Sequence, residues 1–268
     1  MADDAAVLCV RRSARGLLIA VVLAVCGAGG AHAGGPTDPD ALWKIVAGQC
    51  VPDETAHGDP APCADVDVAA GQPRGYAVLK DIVGATQFLL IPTARVAGIE
   101  SPELLAPGAP NYFAAAWRAR RFVEQRAGRA LPRDWVSLAV NSAMARTQNQ
   151  LHIHIDCVAD DVRDALAEHT GEVGTSWAPF TVPLRGHRYD AIAVQGDDLD
   201  GTDPFTVLAD GLAGARANMG AQTLVVVGVL RADGQPGFVI LADRADPAAG
   251  DPAAGEELQD HSCALLGR

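Results

Sequence analysis

Residues 151–158, Leu-His-Ile-His-Ile-Asp-Cys-Val, alternate apolar and polar side chains without a break. Period two is the mark of a strand with one face in a core. It sends Leu151, Ile153, Ile155 and Cys157 inward and sets His152, His154 and Asp156 in a row on the opposite face. Same-face neighbours on a strand stand about 6.6 Å apart, a spacing that lets two imidazoles grip a group the size of a diphosphate. Burying two imidazoles without partners costs free energy, so a histidine pair on one stiff strand points to chemistry. Two chemistries can use it. One is zinc binding, which needs a third protein ligand and an open position. That ligand has to be Asp156 or one of His57, His169, His187 and His261, and no H-E-x-x-H or C-x-x-C accompanies the pair. The other is attack by an imidazole on phosphorus, with neighbours neutralising the phosphate oxygens.

The rest of the chain supplies a mixed frame. Tyr76–Lys80 and Thr86–Ile91 read as two strands around Asp81-Ile-Val-Gly84. Asn111–Gly128 is the clearest helix, with Tyr112, Ala115, Ala116, Ala119 and Val123 near one face and an arginine cluster on the solvated side. Trp135–Val140 is a strand and Val162–His169 a helix. Beyond Pro179 come a strand near Tyr189–Val194, a helix over Pro204–Ala217, and two strands, Thr223–Arg231 and Phe238–Ala242, joined by a turn at Asp233-Gly234. Val51–Pro73 reads as polar loop and Glu256–Leu266 as a closing helix. Asp246-Pro-Ala-Ala-Gly250 recurs verbatim from Asp251 and reads as a flexible surface insertion. Hairpins with helices between them favour an α+β fold over a doubly wound parallel sheet.

At the N-terminus, Arg11, Arg12 and Arg15 precede the apolar run Leu17–Ala28, which ends in glycines and Ala31-His32-Ala33. This is the layout of an export signal over residues 1–33. About a dozen apolar residues fall short of the roughly 20 that a spanning helix needs. Cleavage after Ala33 is therefore expected, with an uncleaved anchor as the alternative. The chain carries a net charge of -12, and losing this net +1 segment leaves residues 34–268 at -13. Such acidity excludes a non-specific nucleic-acid binder. Four cysteines remain, and in an exported chain they suggest two disulfides. Cys50 and Cys63 are close in sequence and are paired. Cys157–Cys263 follows by elimination, the alternative being a buried thiol at Cys157.

The run Asn141-Ser-Ala-Met-Ala-Arg146-Thr147-Gln148-Asn149-Gln150-Leu-His152-Ile-His154-Ile-Asp-Cys157 resembles the signature of bacterial CDP-diacylglycerol pyrophosphatases, a branch of the histidine-triad (HIT) superfamily. Ala41-Leu-Trp43-Lys44, Pro60-Ala-Pro-Cys63, Val78-Leu-Lys80-Asp81, Phe88–Pro92, Ile99–Pro102, Arg185-Gly186-His187 and Gln259-Asp260-His261-Ser-Cys263 resemble that family's segments as well. The resemblance thus covers essentially all of residues 34–268.

It implies a HIT-like antiparallel sheet and hydrolysis of CDP-diacylglycerol to CMP and phosphatidate, with no tightly bound cofactor and no metal. By resemblance, His152 is the nucleophile that forms a cytidylyl-histidine, and His154 contacts the phosphate. Gln150 stands where the triad has its first histidine; it can hydrogen-bond a phosphate but cannot carry a proton. Thr147 and Asn141 match polar residues that reach the phosphate, and Asp81 lies where a carboxylate meets the ribose hydroxyls. Lys80 and Arg146 are the nearest cations for the diphosphate. Arg185 and His187 are read as turn-forming. The substrate implies at least transient contact with the inner membrane and a periplasmic location, free or anchored. Many HIT proteins pair across strands, and residues 180–268 are a candidate degenerate second copy in the partner's place. Outside this reading stand the zinc hydrolase and a non-catalytic nucleotide- or lipid-binding module.

Overall fold

The computed structural model describes residues 38–267. The expected export signal lies outside them. Among the described residues no helix is long and apolar enough to cross a membrane.

Nine strands form one antiparallel sheet: β1 (Asp65–Asp67), β2 (Tyr76–Lys80), β3 (Phe88–Pro92), β4 (Val136–Val140), β5 (Ile153–Cys157), β6 (Ala178–Pro179), β7 (Asp190–Gln195), β8 (Gln222–Leu230) and β9 (Pro236–Arg244). Their spatial order is β1-β2-β3-β5-β4-β8-β9-β7-β6. Among the described residues the α-helices are α1 (Ala41–Ile45), α2 (Val51–His57), α3 (Tyr112–Ala127), α4 (Asp160–His169) and α5 (Pro204–Gly211). This is an α+β fold, as the hairpin pattern led one to expect.

The path β2-β3-α3-β4-β5 is laid out in space as β2-β3-β5-β4. The path β6-β7-α5-β8-β9 is laid out as β6-β7-β9-β8. The two four-strand sets meet where β4 pairs with β8, Ser137 opposite Val227 and Val140 opposite Leu224.

Alternation decides which face each residue serves. Leu151, Ile153, Ile155 and Cys157 join Trp117, Val123 and Phe113 of α3 in the main core, which extends to Phe205 and Leu208 of α5. Helix α3 is well delimited: the Asn111 side chain accepts from the Ala114 amide at 2.9 Å, and Gly128 closes the helix at φ 71°. Its arginines are held in local pairs, Arg118 on Asp200 and Arg121 on Asp65.

The opposite face carries two separate apolar clusters. One packs Val46 and Val51 over Ala77, Leu79, Leu89 and Ile91. The other packs α4 over Ala139, Val225, Val227 and Leu241. His154 pairs with Leu89 on one side and Ala139 on the other, so the histidine row emerges in the gap between them.

Four segments differ from their sequence expectations, the first being α5, which ends at Gly211 rather than Ala217 because Leu212 turns extended. Val51–His57 is helical rather than loop, entered through Pro52 and ended by left-handed Gly58. Glu256–Leu266 is not a helix but two short 3-10 turns, because the Asp260 amide leaves to donate to the Cys157 carbonyl. The second Asp-Pro-Ala-Ala-Gly copy is no flexible insertion: Ala253 is buried, and Gly255 lies so close to the sheet that a Cβ would meet Thr223 Oγ1 at 2.4 Å. Both disulfides form as expected, Cys50–Cys63 and Cys157–Cys263.

Candidate active site

His152 and His154 stand side by side at the end of β5, ring centroids 4.8 Å apart and planes at 64°. Both are nearly enclosed, with 8% and 5% of their surface exposed. Nδ1 of His152 lies 2.8 Å from the main-chain carbonyl of Gln150. A carbonyl only accepts, so Nδ1 carries the proton and Nε2 keeps its lone pair. Burial pushes the His152 pKa down, against the pull of that same hydrogen bond. The ring is therefore neutral at pH 7, the state a nitrogen nucleophile requires.

Burial, with the fields of His152 and His261, pushes His154 further down. Its Nδ1 faces the Gln87 side chain at 2.8 Å and the Glu256 carboxylate at 3.1 Å. Its Nε2 is buried without a hydrogen-bond partner among the described residues. A buried orphan of this kind calls for a ligand atom.

Asp156, fully buried, completes the row. It accepts from Thr86 Oγ1 at 2.7 Å and faces His261 Nδ1 at 2.9 Å. That hydrogen bond and the nearby charges of Asp156, Glu256 and Asp81 raise the His261 pKa against its burial, opposite to the shift of the two strand histidines. His261 arrives from the far end of the chain, two residues before Cys263 and its disulfide to Cys157.

A cavity of about 320 Å³ opens over His152 and His154; Asp156 and His261 are not part of its lining. Lys80, Asp81, Asn141, Thr147, His152 and His154 line it together, six of the eight residues singled out from sequence. Glu256 lines it too, its amide donating to Asn141 Oδ1 at 3.2 Å and its own pKa raised by burial. Lys80 donates to the Asp81 and Gly84 carbonyls, at 2.6 and 3.0 Å, and Asp81 accepts from the Val83 amide at 2.9 Å.

The other two residues are engaged elsewhere. Gln150 is neither a solvent-exposed strand end nor a lining group of this cavity. It is fully buried, its amide donating to the Pro92 and Ala94 carbonyls at 3.0 and 2.8 Å. What it offers the site is its main-chain oxygen. Arg146 is 2.5 Å from Glu100 in a largely buried pair, so its charge is already balanced.

Sequence reasoning weighed Asp156 and His261 only as candidate zinc ligands and left Glu256 and Gln87 without roles. A usable signal existed for His261: a bridge from Cys263 to Cys157 brings its near neighbours to β5.

Residues 37–267 match the CDP-diacylglycerol pyrophosphatase family. A CDP-diacylglycerol pyrophosphatase of Yersinia pestis is 42% identical over 252 residues, covering 94% of this chain and 95% of that protein. The chain belongs to the CDP-diacylglycerol pyrophosphatase family. In this member of the family, the histidine pair and its cavity fall well inside the matched region.

His187 serves the fold rather than the cavity. It sits in a tight turn with Arg185 and Gly186 at positive φ, its Nδ1 2.6 Å from Asp251. This is the turn role read from the sequence. Among the described residues, the three side chains whose ligand atoms converge within 4.8 Å are His187, Asp243 and Asp251. They do not include the His152–His154 pair on which a zinc hydrolase would depend.

Proposed function

We propose that this chain hydrolyses the phosphoanhydride of CDP-diacylglycerol, releasing CMP and phosphatidate, through a covalent intermediate on His152. The observation that carries the mechanism is the Gln150 carbonyl on His152 Nδ1, which fixes the tautomer and leaves Nε2 as the nucleophile.

Nε2 attacks the phosphorus that bears cytidine. A P–N bond forms, and the bond to the bridging oxygen breaks, the electron pair leaving with phosphatidate. The substituted ring becomes cationic, its Nδ1 proton still held by Gln150. Water then attacks the same phosphorus, the P–N bond breaks back to neutral imidazole, and CMP leaves as the attacking water gives up its proton to solvent. His154 Nε2 opposes the charge that develops on the phosphate oxygens, and His261, outside the cavity lining, acts on the row through its field. Asp81 takes the ribose hydroxyls, while Asn141 and Thr147 reach the phosphates.

The same reading places the protein outside the cytoplasm, with the N-terminal segment directing export and the substrate drawing it at least transiently to the inner membrane. Two disulfides support this, because thiols pair readily in exported proteins. The recurring strand order supports a HIT-like pseudo-dimer, with residues 180–268 as a second copy that lacks the histidines. Incubation with CDP-diacylglycerol tests the activity. CMP should appear with the wild-type protein and not with His152→Ala. Substrate binding without CMP release would favour the non-catalytic module.

A further inference from the structure

Where the diacylglycerol half of the substrate goes is not answered by the histidine row. The cavity, at about 320 Å³, sits near the lower end of the roughly 300–1,000 Å³ that holds a drug-sized ligand. That volume suits a nucleotide headgroup and leaves no room for two acyl chains as well. The chains therefore stay outside, and the surface around the mouth has to meet whatever holds them.

That surface is unlike the rest of the molecule. Four large apolar side chains are exposed among the described residues: Ile82 completely, Val83 and Met144 by about half, and Leu230. Two of the four line this one opening, and a third, Met144, is the sequence neighbour of a residue that does. Ile82 and Val83 form the tip between β2 and β3 and reach the cavity mouth, and Met144 adjoins Ala145, which lines it. Leu230 lies at another pocket. Behind the tip, Leu42, Ile45, Leu79 and Leu89 continue the apolar surface into the cavity.

The tip is also braced. Lys80 Nζ closes it from below on the carbonyls of Asp81 and Gly84, and the Ala85 amide donates to the His261 carbonyl at 3.0 Å. Gly84 is packed so closely on His261 that a Cβ would stand 2.7 Å from it. The most exposed isoleucine is thus fastened to the segment that delivers His261.

We propose that Ile82, Val83 and Met144 form a lipid-docking rim. It sinks into the hydrocarbon boundary of a bilayer containing CDP-diacylglycerol, so that the headgroup enters the cavity while the acyl chains remain in the membrane. The proposal rests on the CDP-diacylglycerol reading for the identity of the headgroup. Its physical basis is the transfer of exposed apolar side chains from water, which for one isoleucine strengthens partitioning by about ten- to a hundredfold.

The test compares the full-length wild type with Ile82→Ser/Met144→Ser on two substrates. One is CDP-diacylglycerol in phosphatidylcholine vesicles, and the other is CDP-glycerol, which has the same phosphoanhydride and no acyl chains. Turnover on vesicles should fall at least tenfold, with CDP-glycerol hydrolysis within twofold. Equal loss on both substrates, or no loss on vesicles, would overturn the rim. Ile82→Trp provides a readout independent of any N-terminal anchor. Its added fluorescence should shift to the blue on vesicles and be quenched by brominated phosphatidylcholine; an unshifted, unquenched signal contradicts the proposal. Failure of the underlying function looks different, because the wild type would then release CMP from neither substrate.

Discussion

Asp156 and His261 are 105 residues apart in the chain and 2.9 Å apart in space. The carboxylate is fully buried on the histidine strand and raises the pKa of His261, while burial lowers those of His152 and His154. One row of side chains thus shifts neighbouring imidazoles in opposite directions, which suits the proposed nucleophile at His152 and a cation at His261. The division of labour follows from environment, since all three groups are imidazoles.

That division sets the pH profile. His152 must be unprotonated, and burial moves its pKa below the ordinary 6.5. His261 must be protonated, and Asp156 moves its pKa above 6.5. The kcat/KM profile should therefore have an acid limb below 6.5 and an alkaline limb above it. Asp156→Asn should move the alkaline limb down, and His261→Ala should lower the plateau about 10²-fold and abolish that limb. A profile that keeps its alkaline limb in His261→Ala would assign the limb to another group.

The disulfides should separate by effect. Cys157–Cys263 spans 106 residues and Cys50–Cys63 spans 13. Chain entropy makes the long link worth about 4.7 kcal/mol and the short one about 3 kcal/mol. Cys157→Ala/Cys263→Ala should lose more stability in guanidinium unfolding and also lose the alkaline limb, because His261 is released. Cys50→Ala/Cys63→Ala should keep that limb.

Arg146 should behave as a structural cation. Its guanidinium is balanced by Glu100, so Arg146→Ala strands a half-buried carboxylate. We expect a loss of about 1–2 kcal/mol, reduced from the fully buried case by the exposure of Glu100. Titration with CDP-glycerol should show KM changing less than twofold. A large rise in KM would return Arg146 to the diphosphate site.

Gln150→His tests whether restoring a third histidine helps. The amide bridges the Pro92 and Ala94 carbonyls, and an imidazole cannot make both hydrogen bonds from that position. The variant should melt lower by several degrees, consistent with about 1–3 kcal/mol for buried acceptors left unmet. It should gain no activity in a CMP-release assay.

Features that depend on near neighbours alone were legible in the sequence. Period two placed His152 and Ile153 on opposite faces, and Asn111 and Gly128 bounded α3. The partners of Gln150 and Arg146, the carbonyls near residue 93 and Glu100, are brought to them only by folding. Both look like available polar groups until those partners are known. Glu256 was read into a helix that the departure of the Asp260 amide prevents. Helix α2 had its signals in Pro52 and Gly58, but the polar composition around them masked a single short turn of apolar contact at Val51.

The covalent step at His152 is the centre of the proposed mechanism. Rapid quenching of the enzyme with cytidine-labelled CDP-diacylglycerol, followed by peptide mapping under alkaline conditions, measures it. An acid-labile cytidylyl group should be found on the peptide carrying His152 and be absent from His152→Ala. Continued CMP release without such an adduct, or an adduct on His154 instead, would contradict it.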